Sequence, residues 1–211
     1  MPLLLFVCAA LSFVACAWLV RHAHGHAVRY GADMPQRFHL GHVPRLGGVA
    51  MGVSWLLSLV WMGWPEPPGG GLRLNFAGGQ LLACAVTVLL SVSAGVYEDI
   101  TQRMAVLLRL GATLAAALVA VGFLDLAVPR LGIPWVDGWW RAMGWPGGVL
   151  AVLAVAGLPH AFNIIDGYNG LAGMVALVVC LALTHVALQV GDRELAAMAV
   201  ALAAATAGYL V

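Results

Sequence analysis

Long apolar runs alternate along this chain with short clusters of charge, glycine and proline. The runs are Leu3–Val20, Leu46–Trp64, Gln80–Val96, Val106–Leu124, Pro146–Phe162, Leu171–Val190 and Leu195–Val211. Each comes close to the ~20 mostly apolar residues that a helix needs to cross a bilayer. They are too long and unbroken for strands, which end after four to eight residues or so. The pattern therefore predicts an all-α fold, a polytopic transmembrane helix bundle of about seven spans, as a single domain over residues 1–211.

Composition strengthens this picture. Hydrophobic residues make up 63% of the chain and charged residues 9%, against about 25% charged in an ordinary soluble domain. The mean hydropathy is +0.95, and a soluble protein could not cover its surface with so few polar groups. The net charge of +1 sets up no field that would favour nucleic acid, and that partner class is set aside. Cys8, Cys16, Cys84 and Cys180 all lie in apolar stretches without paired spacing. They read as buried thiols rather than as a disulfide framework or a zinc site.

Charge also bears on orientation. The first run lacks a positive residue before it, and Arg21 follows it. In spite of the small residues Ala15-Cys16-Ala17, this favours an uncleaved span with its amino terminus outside over a signal peptide. The inner loops are then 21–45, 97–105 and 163–170. Arg21, Arg29, Arg37, Arg45, Arg103 and Arg109 fall on or near the inner side, and Arg73, Arg130, Arg141 and Arg193 on the outer, a bias in the expected direction. The outer segment 125–145 gathers Trp135, Trp139, Trp140 and Trp145, which reads as an interfacial aromatic belt.

Three polar clusters fall on the expected inner side. The loop from Arg21 to Gly48 carries four arginines, five histidines and one acid, Asp33, and ends in Pro44-Arg45-Leu46-Gly47-Gly48. Anionic lipid alone would account for its arginines. His22, His24 and His26 could touch a transition metal but lack partner ligands. The paired glycines would let backbone approach a ligand closely. The second cluster, Tyr97-Glu98-Asp99-Ile100-Thr101-Gln102-Arg103, sets adjacent carboxylates at the edge of an apolar run, either as a solvated turn with a local Asp99–Arg103 pair or as a cation or proton site. The third, His160 to Leu171, includes Asn163, Asp166, Gly167, Asn169 and Gly170. Asn163 and Asp166 would share a helix face.

Together these clusters offer carboxylates from two separated loops, amide side chains and arginines. Magnesium takes one or two carboxylates plus substrate phosphate oxygens, and arginine forks match the remaining oxygens. The residues thus point to a membrane enzyme acting on phosphates at the inner face.

At these same positions the chain resembles the polyprenyl-phosphate N-acetylhexosamine-1-phosphate transferases, glycosyltransferase family 4. The resemblance runs through Pro35 to Gly48 with Arg37, His39, Pro44, Gly47 and Gly48, then Gly95-Val-Tyr-Glu98-Asp99 with Arg109 opening the next helix, then Asn163-Ile-Ile-Asp166-Gly167-Tyr-Asn169-Gly170-Leu171-Ala172. It implies transfer of a sugar-1-phosphate from a UDP-N-acetylhexosamine, such as UDP-N-acetylglucosamine, to undecaprenyl phosphate. UMP would leave, and a cell-wall, lipopolysaccharide or other envelope glycan would be initiated at the cytoplasmic side of a bacterial inner membrane. The resemblance makes Asp166 and Asp99 ligands of Mg2+, with Mn2+ as a substitute. Glu98 and Asp99 would aid metal placement or proton removal, with Asn163, Asn169 and Gly167 about the substrate. Arg37, His39 and Arg103 would contact phosphate, and Gly47 and Gly48 would line the approach.

This sequence departs from the family pattern at three positions. Glu98 stands where the acidic pair usually begins with Asp, Gln102 replaces a further acid found in some members, and Asn169 replaces the second acid of the Asp-Gly-x-Asp pattern. An amide can still ligate through its oxygen but brings no charge. The family's later Gly-Asp motif and His-rich inner loop have no counterpart before Val211, so the chain reads as the N-terminal part of the family's domain, truncated at its C-terminus. The alternatives are an inactive truncated copy and a non-enzymatic membrane module. A transporter would place ionisable groups near mid-membrane, where only His160 and His185 come near an apolar interior. A CDP-alcohol phosphotransferase would need an Ala-Arg pair and further aspartates after the Asp-Gly motif, and Ala172-Gly173-Met174 supplies neither.

Overall fold

The computed structural model of the chain describes residues 2–22, 46–64, 74, 79–101, 104–165 and 170–211. Every regular element among them is a helix. These are α1 (Pro2–His22), α2 (Gly47–Gly63), α3 (Gln80–Thr101), α4 (Val106–Leu124), α5 (Pro134–Met143), α6 (Trp145–Ile165), α7 (Leu171–Gln189) and α8 (Arg193–Leu210). The fold is an all-α polytopic bundle. Five helices, α1, α3, α4, α6 and α7, are long and apolar enough to cross a membrane. Of the other two expected spans, α2 is a shorter apolar helix of 17 residues, and α8 opens on Arg193 and Glu194 and is built largely of alanine. Large side chains stand outward, with Phe6 73% and Leu107 80% exposed, an arrangement that suits lipid rather than water.

The chain forms two compact units, residues 1–76 with 164–211, and residues 77–163. In the first unit α8 packs against α7, α1 and α2. Its buried residues are Ala196, Ala197, Ala199, Ala201, Ala203, Ala205, Thr206 and Gly208. Small side chains let the neighbouring backbones come close. At Gly208 the approach is tight enough that an added Cβ would overlap the Ala9 carbonyl of α1. Polar tethers cross the same contact. The Cys8 thiol donates to the Ala201 carbonyl at 3.3 Å, and the Trp55 indole donates to the Met198 carbonyl at 3.1 Å. Asp192 caps α8 by accepting from the Leu195 amide at 2.9 Å, which satisfies one of the donors a helix start leaves open. Before α7, Gly170 adopts φ 75, a left-handed turn that side chains resist.

In the second unit, α3, α4 and α6 are joined by short connections and by the short helix α5. The segment expected as an aromatic belt is folded. Pro134 starts α5, and Asp137 accepts from the Leu131 and Gly132 amides at 2.8 and 3.1 Å. Trp135, Trp139 and Trp145 are exposed, as a belt requires. Trp140 instead donates to the Val128 carbonyl at 2.7 Å, tying α5 back to the connection that follows α4.

The close contact in the first unit has a direct test. Gly208→Ala should lower the thermal unfolding midpoint of the detergent-solubilised chain by several degrees, through about 1–3 kcal/mol of overpacking. Gly122→Ala, where a Cβ would meet nothing within 4 Å, should not. Equal midpoints for both variants would refute the account of α8 packing.

Candidate functional site

The described part of the site is built at one end of the second unit. The acidic pair was expected in a loop after Val96. Instead α3 runs on to Thr101, whose hydroxyl donates back to the Tyr97 carbonyl at 2.7 Å. Glu98 and Asp99 therefore project from the last turn of a helix. Neighbours on a helix point about 100° apart, so the two carboxylates leave the helix in different directions. Glu98 pairs with Arg109 on the first turn of α4, and Asp99 makes its own interaction.

The pairing has an electrostatic cause. A carboxylate in the last turn of a helix faces the negative end of the helix dipole, and a guanidinium in the first turn faces the positive end. Each charge is ill placed on its own helix, and bringing them together offsets both penalties. Arg109 and Glu98 side chains are 26% and 29% exposed, so screening by solvent is partial. The Nε of Arg109 is buried without a hydrogen-bond partner, which leaves one N–H of the fork unused. Among the described residues the ion pair of this corner is Glu98–Arg109; the local Asp99–Arg103 pair considered from sequence involves Arg103, which lies outside the described residues.

One turn further along α4, on the same face as Arg109, Thr113 meets α6. Its hydroxyl donates to the Leu110 carbonyl at 3.0 Å and lies 3.1 Å from His160 Nε2. The Thr113 oxygen can accept from Nε2–H while its own proton goes to Leu110. In the sequence His160 stands out only as the start of the third polar cluster and as an ionisable group near an apolar interior. The expected span stopped at Phe162, whereas α6 continues to Ile165. Asn163 therefore sits on the helix one turn beyond His160, on the same face. Glu98–Arg109 thus ties the end of α3 to the start of α4, and Thr113–His160 ties α4 to α6.

The remaining expected positions are distributed as follows. Arg37, His39, Arg103, Asp166, Gly167 and Asn169 lie outside the described residues, as do His24 and His26. His22 Nδ1 donates to the Trp18 carbonyl at 2.8 Å, and its ring stacks on Trp18. Gly47 and Gly48 open α2 in the first unit. The bare Cα of Gly47 lies against the Tyr209 ring, whereas a Cβ on Gly48 would meet open space. Among the described residues no three of His, Cys, Asp and Glu gather as a metal-ligand set. The Asp99 carboxylate and the Asn163 amide are nonetheless oxygen donors of the kind a hard cation takes, and one or two carboxylates suffice for magnesium when phosphate oxygens complete the shell.

Arg109, Thr113 and His160 are the residues that sequence reading undervalued. A signal was present, since Arg109 and Thr113 are four apart on an otherwise apolar helix, and His160 and Asn163 three apart on another. Such pairs share a face, and polar faces on apolar helices find partners.

Comparison with known proteins follows from this geometry. Residues 81–211 match the family model of glycosyl transferase family 4. The chain is 32% identical over 200 residues to a phospho-N-acetylmuramoyl-pentapeptide-transferase of Moorella thermoacetica, covering 92% of this chain and 60% of that protein. It is 24% identical over 190 residues to a Bacillus subtilis protein named "Probable undecaprenyl-phosphate N-acetylglucosaminyl 1-phosphate transferase", covering 87% of this chain and 48% of that one. A phospho-N-acetylmuramoyl-pentapeptide-transferase of Geobacillus thermodenitrificans is 25% identical over 213 residues, covering 95% and 62%. The chain therefore spans about half to three-fifths of the length of these relatives. No solved structure matches.

The corner itself is open to measurement. A double-mutant cycle on Glu98→Gln and Arg109→Gln should return a coupling of about 1–2 kcal/mol in unfolding free energy. Additive losses would show that the two charges do not act as a pair.

Proposed function

This chain belongs to glycosyl transferase family 4, and from that premise we propose that it transfers a sugar-1-phosphate from a UDP-N-acetylhexosamine to a polyprenyl phosphate, releasing UMP. The observation that carries the proposal is the corner at the end of α3, where Glu98 pairs with Arg109 and Asp99 is the next residue on the same last turn. The two carboxylates leave the helix about 100° apart, which suits them to different roles. The names of the relatives supply the substrate classes, a polyprenyl phosphate and an N-acetylated sugar phosphate.

The chemistry is a displacement at phosphorus. An oxygen of the lipid phosphate forms a bond to the sugar-linked phosphorus of the UDP-sugar, the bond from that phosphorus to the UMP oxygen breaks, and UMP leaves with the electron pair. Glu98 is a poor base for this step because its lone pairs face a guanidinium. Asp99 is the carboxylate assigned either to take the last proton from the lipid phosphate or to hold a cation. Arg109 holds Glu98. Asp99, with Asp166 from outside the described residues, would hold Mg2+, and Asn163 would support the substrate from α6. A bound magnesium ion would neutralise charge arriving on the departing phosphate. On this reading the site works at the cytoplasmic face of a bacterial inner membrane, where UDP-sugars are made, and its product starts a cell-envelope glycan.

Membranes containing this chain should release UMP from UDP-N-acetylglucosamine or UDP-N-acetylgalactosamine when magnesium and undecaprenyl phosphate are both supplied. Asp99→Asn should reduce that release at least a hundredfold while leaving the amount of folded protein unchanged. Persistent release in Asp99→Asn would remove Asp99 from the chemistry. No release from the unaltered chain would favour a non-enzymatic membrane module. Asp166→Asn should behave as Asp99→Asn does, and wild-type turnover there would take Asp166 out of the cation site.

A further inference from the structure

We infer that Thr113 and His160 form an interhelical latch that positions the terminal turn of α6, and with it Asn163, against the carboxylate corner of α3 and α4. The contact is specific. His160 Nε2 lies 3.1 Å from the Thr113 hydroxyl across 47 residues of chain, and that hydroxyl is oriented by its bond to the Leu110 carbonyl. In the latch Nε2–H donates to the Thr113 oxygen, which fixes the plane of the ring. Thr113 follows Arg109 by one turn on the same face of α4, and Asn163 follows His160 by one turn on the same face of α6. A single strip of α4 therefore grips Glu98 on one side and the end of α6 on the other.

The need for a latch comes from Pro159. It sits inside α6, immediately before His160. Proline has no N–H to give the carbonyl four residues back, and its ring crowds that carbonyl. The last turn and a half of α6 is thus joined to the body of the helix with one backbone hydrogen bond fewer, at the place where Asn163 must be held. A lateral bond at the residue after the proline restores the constraint from outside the helix. His160 is a positioning residue in this account, and its effect on turnover rests on the transferase reading above, while its effect on Asn163 does not.

Two measurements on the full chain separate these levels. In detergent micelles with 15N-labelled histidine and asparagine, the His160 ring N–H and the Asn163 side-chain amide are assigned by their loss in His160→Gln and Asn163→Asp. Thr113→Val, which keeps the shape and removes the acceptor, should abolish the protected His160 ring signal and shift the Asn163 amide. Thr113→Ser should restore both. In the UMP-release assay, Thr113→Val should lower kcat on the order of ten- to a hundredfold, with KM for the UDP-sugar within about threefold. Thr113→Ser should recover most of the loss. Signals that respond in this way without UMP release from the unaltered chain would uphold the latch and sink the transferase reading of the chain. An Asn163 amide unmoved by Thr113→Val, or a shifted amide with wild-type kcat, would overturn the positioning role.

Discussion

Surrounded by lipid, an apolar helix gains little by exchanging lipid for another apolar helix, so cohesion has to come from closeness of approach and from internal polar bonds. The first unit answers this constraint with α8, whose packed face is alanine, threonine and glycine. There backbone meets backbone at Gly208 and Ala9, and Cys8 and Trp55 reach carbonyl groups on the same helix. Alanine adds no rotamer entropy to be lost on packing, so this contact is gained at small cost.

The second unit answers the constraint differently. Its described cross-helix polar bonds gather at the ends of α3 and α6 and the start of α4, where both charges of the Glu98–Arg109 pair sit at the unfavourable ends of their helices. Placed singly, either would weaken its own helix end. Placed together, they remove a penalty and tie the end of α3 to the start of α4. The pairing that stabilises the helix ends also holds the turn that carries Asp99.

Much of this was legible in the sequence. The helical character and most span limits followed from run length alone, since only a helix satisfies twenty consecutive backbone groups without outside partners. The family followed from the ordered polar motifs. What hydropathy missed was how far α3 and α6 continue past their apolar runs. A window that scores side chains ends the span at Val96 or Phe162, but hydrogen bonding carries the helix on to Thr101 and Ile165. That difference moves Glu98, Asp99 and Asn163 from loops onto helix faces. The Thr113–His160 contact was equally hidden, because a partner 47 residues away leaves no local trace. Trp140 looked like its exposed neighbours for the same reason: its carbonyl partner comes from another part of the chain.

The tight contact along α8 also divides the chain into positions with unequal freedom to change. Outward residues such as Phe6 and Leu107 touch mainly surroundings that accept any apolar shape, so their identities are interchangeable. On the packed face of α8 the permitted direction is only downward in size, and at Gly208 there is no smaller residue to move to. The information that specifies the α8 contact is therefore concentrated in its least conspicuous letters, the alanines and glycines, while the outward large hydrophobic residues specify little beyond their own apolarity.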